Sequence, residues 1–95
     1  DFGTGNLIYD PAARRMVGVI DFGAAGLGDG ATDMAGLLSS FGRGFLARCV
    51  KYYPAISSAS TRIHFYYGTF ALQEALFGLE NGDQEAFTSG MKAFV

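Results

Sequence analysis

Asp1-Phe2-Gly3-Thr4-Gly5-Asn6, the apolar run Met16-Val17-Gly18-Val19-Ile20 and the Asp21-Phe22-Gly23 that follows it organise this 95-residue chain. Between them Leu7-Ile8-Tyr9 reads as a short strand. Asp10-Pro11-Ala12-Ala13 reads as a turn, because Pro presets its dihedral and the Asp side chain bonds forward. Residues 16–20 then return as a second strand, and the hairpin delivers Asp21 close to Asn6. Residues 24–30 are small and Gly-rich, compatible with a loop lying against backbone or ligand. Asp29 and Asp33 close the stretch.

Each of these residues alone is ordinary. An Asp before glycines is commonly a turn residue, Asp29-Gly30 is a common turn dipeptide, and Asp33 could simply charge the first turn of a helix. Their order is what carries chemistry. Phosphoryl transfer needs a carboxylate to orient the attacking hydroxyl and oxygen ligands to hold Mg²⁺ on the phosphates. A D-x-x-x-x-N loop followed by a strand-borne D-F-G supplies both. Asp1 is then the catalytic base, with Asn6 and Asp21 as metal ligands. Mg²⁺ takes few protein carboxylates and keeps waters, so two ligands are enough. Asp1-Phe2-Gly3 spells D-F-G as well, but only Asp21 follows an apolar run able to form a strand that aims it.

These motifs, DFGTGN, VIDFGAAG and GDGATD, resemble the aminoglycoside phosphotransferase family, a branch of the protein-kinase-like fold. FALQEALFGLENG extends the resemblance toward the 2''-phosphotransferase branch, so it covers nearly the whole chain. The resemblance implies that Asp1 is the base, that Asn6 and Asp21 hold Mg²⁺, and that Asp33 braces the catalytic-loop backbone. It implies ATP or GTP as donor and a hydroxylated small molecule as acceptor. The family's His would fall before residue 1, and its G-D-P proline is Gly30 here. The amino-terminal lobe with its nucleotide-covering loop and Lys has no counterpart in these residues. The resemblance therefore implies the carboxyl-terminal part of such an enzyme.

Composition sets bounds. Ninety-five residues allow one domain with a modest core. An apolar fraction of 49% with 15% aromatics is high for that size, so much apolar surface is expected to face a partner, and self-association is expected. A net charge of −2 gives no reason to expect nucleic acid or an anionic membrane. No apolar run approaches a transmembrane length. Cys49 is the sole cysteine, which excludes an internal disulfide and fits a reducing cytoplasm. It reads as a small apolar residue on a helix face.

Beyond residue 33 the period becomes helical. Met34, Leu37, Leu38, Phe41, Phe45 and Cys49 form one apolar stripe, which Gly42 and Gly44 can break into two helices. Residues 57–61 supply a loop and N-cap for a helix over 61–79, with Ile63, Tyr66, Tyr67, Phe70 and Phe77 on one side. Asn81-Gly82 ends it with a left-handed cap, and Asp83 caps a last helix over 84–94. Glu74, four residues from Phe70, could with it meet a cationic acceptor. His64 reads as structural. For self-association the stripe from Met34 to Phe45, or the aromatics around Phe70, is the expected contact.

The fold expected is thus α+β and mainly helical. Residues 1–33 form a hairpin segment with the catalytic and metal loops, and residues 34–95 form three or four substrate-side helices. The acceptor is less determined. No Asp or Glu occurs between Met34 and Gln73, whereas Arg43, Arg48, Lys51 and Arg62 do. That charge map argues against assuming a polycationic aminoglycoside and leaves a weakly basic alcohol, such as a macrolide sugar, as the alternative. A helical interaction module bearing a relic motif is the reading of a different class.

Overall fold

The computed structural model describes residues 2–23 and 25–94. A short 3-10 turn, Thr4–Asn6, leads into strand β1 (Leu7–Asp10), which pairs antiparallel with β2 (Arg15–Val19). Asp10 makes the turn as expected: its Oδ1 accepts the Ala12 and Ala13 N–H groups at 2.9 and 3.2 Å. Leu7 faces Val19 and Ile8 faces Gly18, but Tyr9 faces Met16, so Val17 is a bulge. The strand ends at Val19 rather than Ile20, yet the Ile20 N–H still donates to the Asn6 carbonyl at 2.9 Å.

Five helical segments follow: α1 (Ala31–Phe41), α2 (Arg43–Cys49), α3 (Ala55–Ser58), α4 (Ser60–Asn81) and α5 (Gln84–Met91). The chain is mainly helical α+β, with a single turn, α3, where the sequence reads partly as loop. Gly42 separates α1 from α2, and its φ of 86° and ψ of 177° suit glycine. Gly82 closes α4 in the left-handed region, and Asp83 caps α5 by accepting the Ala86 N–H at 3.0 Å.

The core is built by α1, α2, α3 and the first half of α4. Ala31, Ala35, Leu37, Leu38, Leu46, Ile56, Ala59 and Ile63 are buried, and Met34, Phe41, Phe45, Cys49, Tyr66 and Phe70 pack against them. Phe41 and Phe45 stack with centroids 4.6 Å apart across the Gly42 break. The stripe from Met34 to Phe45 is therefore core, and this corrects its expected role as a self-association face. Uncovered apolar surface lies instead on the hairpin, at Ile8, Tyr9, Met16, Val17, Val19 and Ile20, and on outer α4.

The α4 stripe also divides. Ile63 is 1% exposed, but Tyr67 is 46% and Phe77 57% exposed. Past Phe70 the packing face runs through small residues. A Cβ on Gly78 would lie 2.4 Å from the Phe87 nitrogen, and one on Gly90 2.4 Å from the Ala71 carbonyl oxygen. Helices α4 and α5 thus cross backbone to backbone, at Gly78 and Gly90, which have no side chain, and at the buried Ala75.

Candidate active site

The loop before β1 rests directly on α1. A Cβ at Gly36 would come within 2.4 Å of the Phe2 carbonyl oxygen, so only glycine admits this approach. Four residues on, the Ser40 hydroxyl accepts the Thr4 N–H at 3.2 Å. Helix α1 therefore holds residues 2–4 through its own backbone and one hydroxyl. Asp1, the expected base, lies outside the described residues, immediately before this fixed point.

Asn6 and Ile20, the residue before Asp21, pair through their backbones at one end of the hairpin. The pairing of Ile20 with the Asn6 carbonyl sets Asp21 one residue beyond it. Asp21 has φ of 64°, a left-handed conformation that Asp adopts more readily than most residues and that recurs at functional sites. It lines a cleft of about 360 Å³ together with Asp29 and Asp33, with Phe2, Phe22 and Thr32 on the walls. Asn6 is not on that wall. Chemically, a carboxylate and an amide oxygen are hard donors that suit Mg²⁺ completed by waters and phosphate oxygens. Among the described residues no three His, Cys, Asp or Glu side chains gather in a fuller metal cage.

Asp33 sits exposed in the first turn of α1. Among the described residues its carboxylate accepts no hydrogen bond, and the bond from α1 to the loop runs through Ser40. Asp29 is the carboxylate that is fully engaged. Its Oδ1 accepts the Ala31 N–H at 3.0 Å, its Oδ2 accepts Arg62 Nε at 2.9 Å and the Tyr66 hydroxyl at 3.3 Å. The Ala31 N–H first, then Arg62, holds this carboxyl below the usual range, and Asp29 in turn raises Arg62. Sequence reading missed this pairing: nothing local links residues 29 and 62, although Arg62 and Tyr66 stand four apart on one helix face.

Phe70 and Glu74, expected to meet one ligand, line different cavities. Phe70 joins Phe2, Gly3, Asp33, Ser40 and Gln73 around a space of about 500 Å³. Glu74 lies one turn further along α4, where α5 replaces α1 as neighbour, in a shallow groove with Asp83 and Glu85. The cations also fall differently from the expectation. Arg62 is paired with Asp29, Arg48 lies over the Phe45 ring, and Lys51 lies over the Tyr52 ring. No Lys or Arg lines the cleft of Asp21 and Asp33. His64 bonds the Ser60 carbonyl through Nδ1 at 2.8 Å, in keeping with a structural role.

The model of the phosphotransferase enzyme family matches residues 1–67. Viomycin phosphotransferase of Streptomyces vinaceus is 34% identical over 97 aligned positions, covering 99% of this chain. The chain spans 34% of the length of that relative. On both counts, the chain belongs to the phosphotransferase enzyme family.

Proposed function

We propose that this chain is the catalytic and substrate-side part of a kinase-like phosphotransferase. It would direct the γ-phosphate of ATP or GTP to a hydroxyl of an antibiotic or similar small molecule. The observation that supports this reading most is the hydrogen bond from Ile20 N–H to the Asn6 carbonyl, which joins the loop asparagine's backbone to the residue before Asp21.

In this reading Asp1 accepts the proton of the acceptor hydroxyl as it attacks. Asn6 and Asp21 hold Mg²⁺, which when bound neutralises charge on the phosphates. Gly36 and Ser40 of α1 keep the catalytic loop in place, and Asp33, in the first turn of the same helix, turns its carboxylate to the cleft. Phe70 supplies an apolar wall near residues 2 and 3, and the acceptor reading does not need Glu74, which lies in another groove. Among the described residues no Lys or Arg lines the cleft beside Asp21 and Asp33, whereas Asp29 is paired with Arg62. The two remaining carboxylates support an acceptor that carries amines, which offsets the unfavourable charge count along the sequence.

The test uses the protein encoded by the whole reading frame that contains these residues. It is incubated with Mg²⁺ and ATP or GTP, and with viomycin, an aminoglycoside or a macrolide, and the acceptor's mass is followed. Gain of one phosphoryl group that Asp1→Asn and Asp21→Asn each abolish supports the reading. Undiminished turnover in Asp1→Asn excludes Asp1 as base, and no transfer to any acceptor with either nucleotide favours the relic-motif module.

A further inference from the structure

The run of residues 25–30 that joins the Asp21 loop to α1 has little to hold it. Residues 25–28 are exposed, and the Ala25 N–H bond to the Phe22 carbonyl at 2.9 Å is local. The firm attachment is at Asp29, whose carboxylate is gripped from α4 by the fork of Arg62, at 2.9 Å from Nε and 3.4 Å from Nη2, and by the Tyr66 hydroxyl. Between those two residues Ile63 is 1% exposed, so this face of α4 is anchored in the core. Asp21 lies eight residues before Asp29 and Asp33 four after, and all three line one cleft.

We propose that Arg62, with Tyr66, is a positioning residue that ties Asp29 to α4 and thereby fixes where Asp21 and Asp33 stand in the cleft. Its catalytic consequence rests on the phosphotransferase reading above, while its structural half does not. The Arg62 side chain is 58% exposed, and an exposed ion pair adds little to global stability. The effect of the clasp therefore falls on placement. A planar fork meeting a carboxylate fixes direction as well as distance, which a lysine ammonium does not.

The experiment compares the parent with Arg62→Ala, Arg62→Lys and Tyr66→Phe in the full protein. It reads amide hydrogen exchange by segment, and kcat and KM for phosphoryl transfer. Arg62→Ala is expected to speed exchange at the Ala31 and Thr32 amides, which Asp29 accepts, by about tenfold while α4 and α5 stay protected. Displacing reacting groups by about an ångström costs on the order of a hundredfold in rate. The expected fall in kcat is thus about ten- to a hundredfold, with acceptor KM changed less than about twofold. Arg62→Lys and Tyr66→Phe, which keep the charge or the ring, should fall between. Unchanged exchange at the Ala31 and Thr32 amides in Arg62→Ala overturns the proposal. So does an equal loss of protection throughout α4 and α5, or faster exchange with unchanged kcat. An inactive parent would sink the phosphotransferase reading, and the exchange pattern alone would still decide whether the clasp exists.

Discussion

At the scale of single residues, two contacts set the site, and one of them involves no side chain. Gly36 lets α1 reach the Phe2 carbonyl, and its replacement by alanine puts a carbon 2.4 Å from that oxygen. The loop has to move, because backbone rather than a flexible side chain is what it meets. Overpacking of this kind costs about 1–3 kcal/mol. Gly36→Ala is expected to lower the melting temperature and to reduce phosphoryl transfer more than stability alone accounts for, as thermal melts beside turnover would show. Asp29 gives a pH prediction. Its folded pKa lies below the ordinary carboxylate value of 3.8, with the Ala31 N–H and Arg62 as causes. Its contribution is thus present above about pH 3.8 and is lost as pH falls through the lowered folded value. Asp29 raises Arg62 above the ordinary guanidinium range, so its share disappears only in strong alkali. Asp29→Asn should flatten the acid limb of a stability–pH curve below pH 3.8, and an identical limb in both proteins would show that the pairing carries no linkage.

At the scale of elements, what was legible in the sequence was local. The Asp10 turn, the Gly82 termination and the Asp83 cap were readable because each is decided within four residues. The α1 stripe was readable too, since large apolar residues at helical spacing mark a buried face. Gly42 showed where that stripe could break. The second half of α4 was misread for the opposite reason. Its buried face is made of Ala75 and Gly78 against Gly90, and small residues carry almost no weight in a hydrophobic pattern, while Tyr67 and Phe77 carry much and point outward. Within the candidate site, the hairpin that brings Ile20 to the Asn6 carbonyl was legible from the two flanking apolar runs. The Asp29 clasp was not, since its partner is 33 residues away. Gly90→Ala tests the crossing. A methyl 2.4 Å from the Ala71 oxygen has no room, so stability should fall by about 1–3 kcal/mol, read as a lower urea midpoint at unchanged slope. A midpoint within error of the parent would mean that the two helices can part cheaply.

At the scale of the whole molecule, the hairpin is the unbalanced part. Its two strands carry exposed Ile8, Tyr9, Met16, Val17, Val19 and Ile20, and a two-stranded hairpin without cover is marginal in water. A few hundred Å² of apolar surface at about 25 cal/mol per Å² amounts to several kcal/mol, more than enough to favour pairing after part is lost to ordering. The 95-residue chain on its own is expected to self-associate at micromolar concentration, through the hairpin rather than through α1. Sedimentation velocity reads this directly. Tyr9→Lys with Val17→Lys should restore a monomer, and Leu38→Lys should instead unfold the chain, because Leu38 is core. A parent that sediments as a monomer over the whole concentration range would contradict the expectation.

The contact of Gly36 with Phe2 also bears on how such a chain can change over generations. The loop registers the main chain of α1 and not the identity of its neighbours. Thr32, Ser39 and Gln73, which rim the adjoining cavity, are therefore free to vary with whatever molecule enters it, whereas Phe70 also packs on the core. Gly36 and the Ser40 hydroxyl have to stay. New specificities can be tried on that rim while the chemistry underneath keeps its footing.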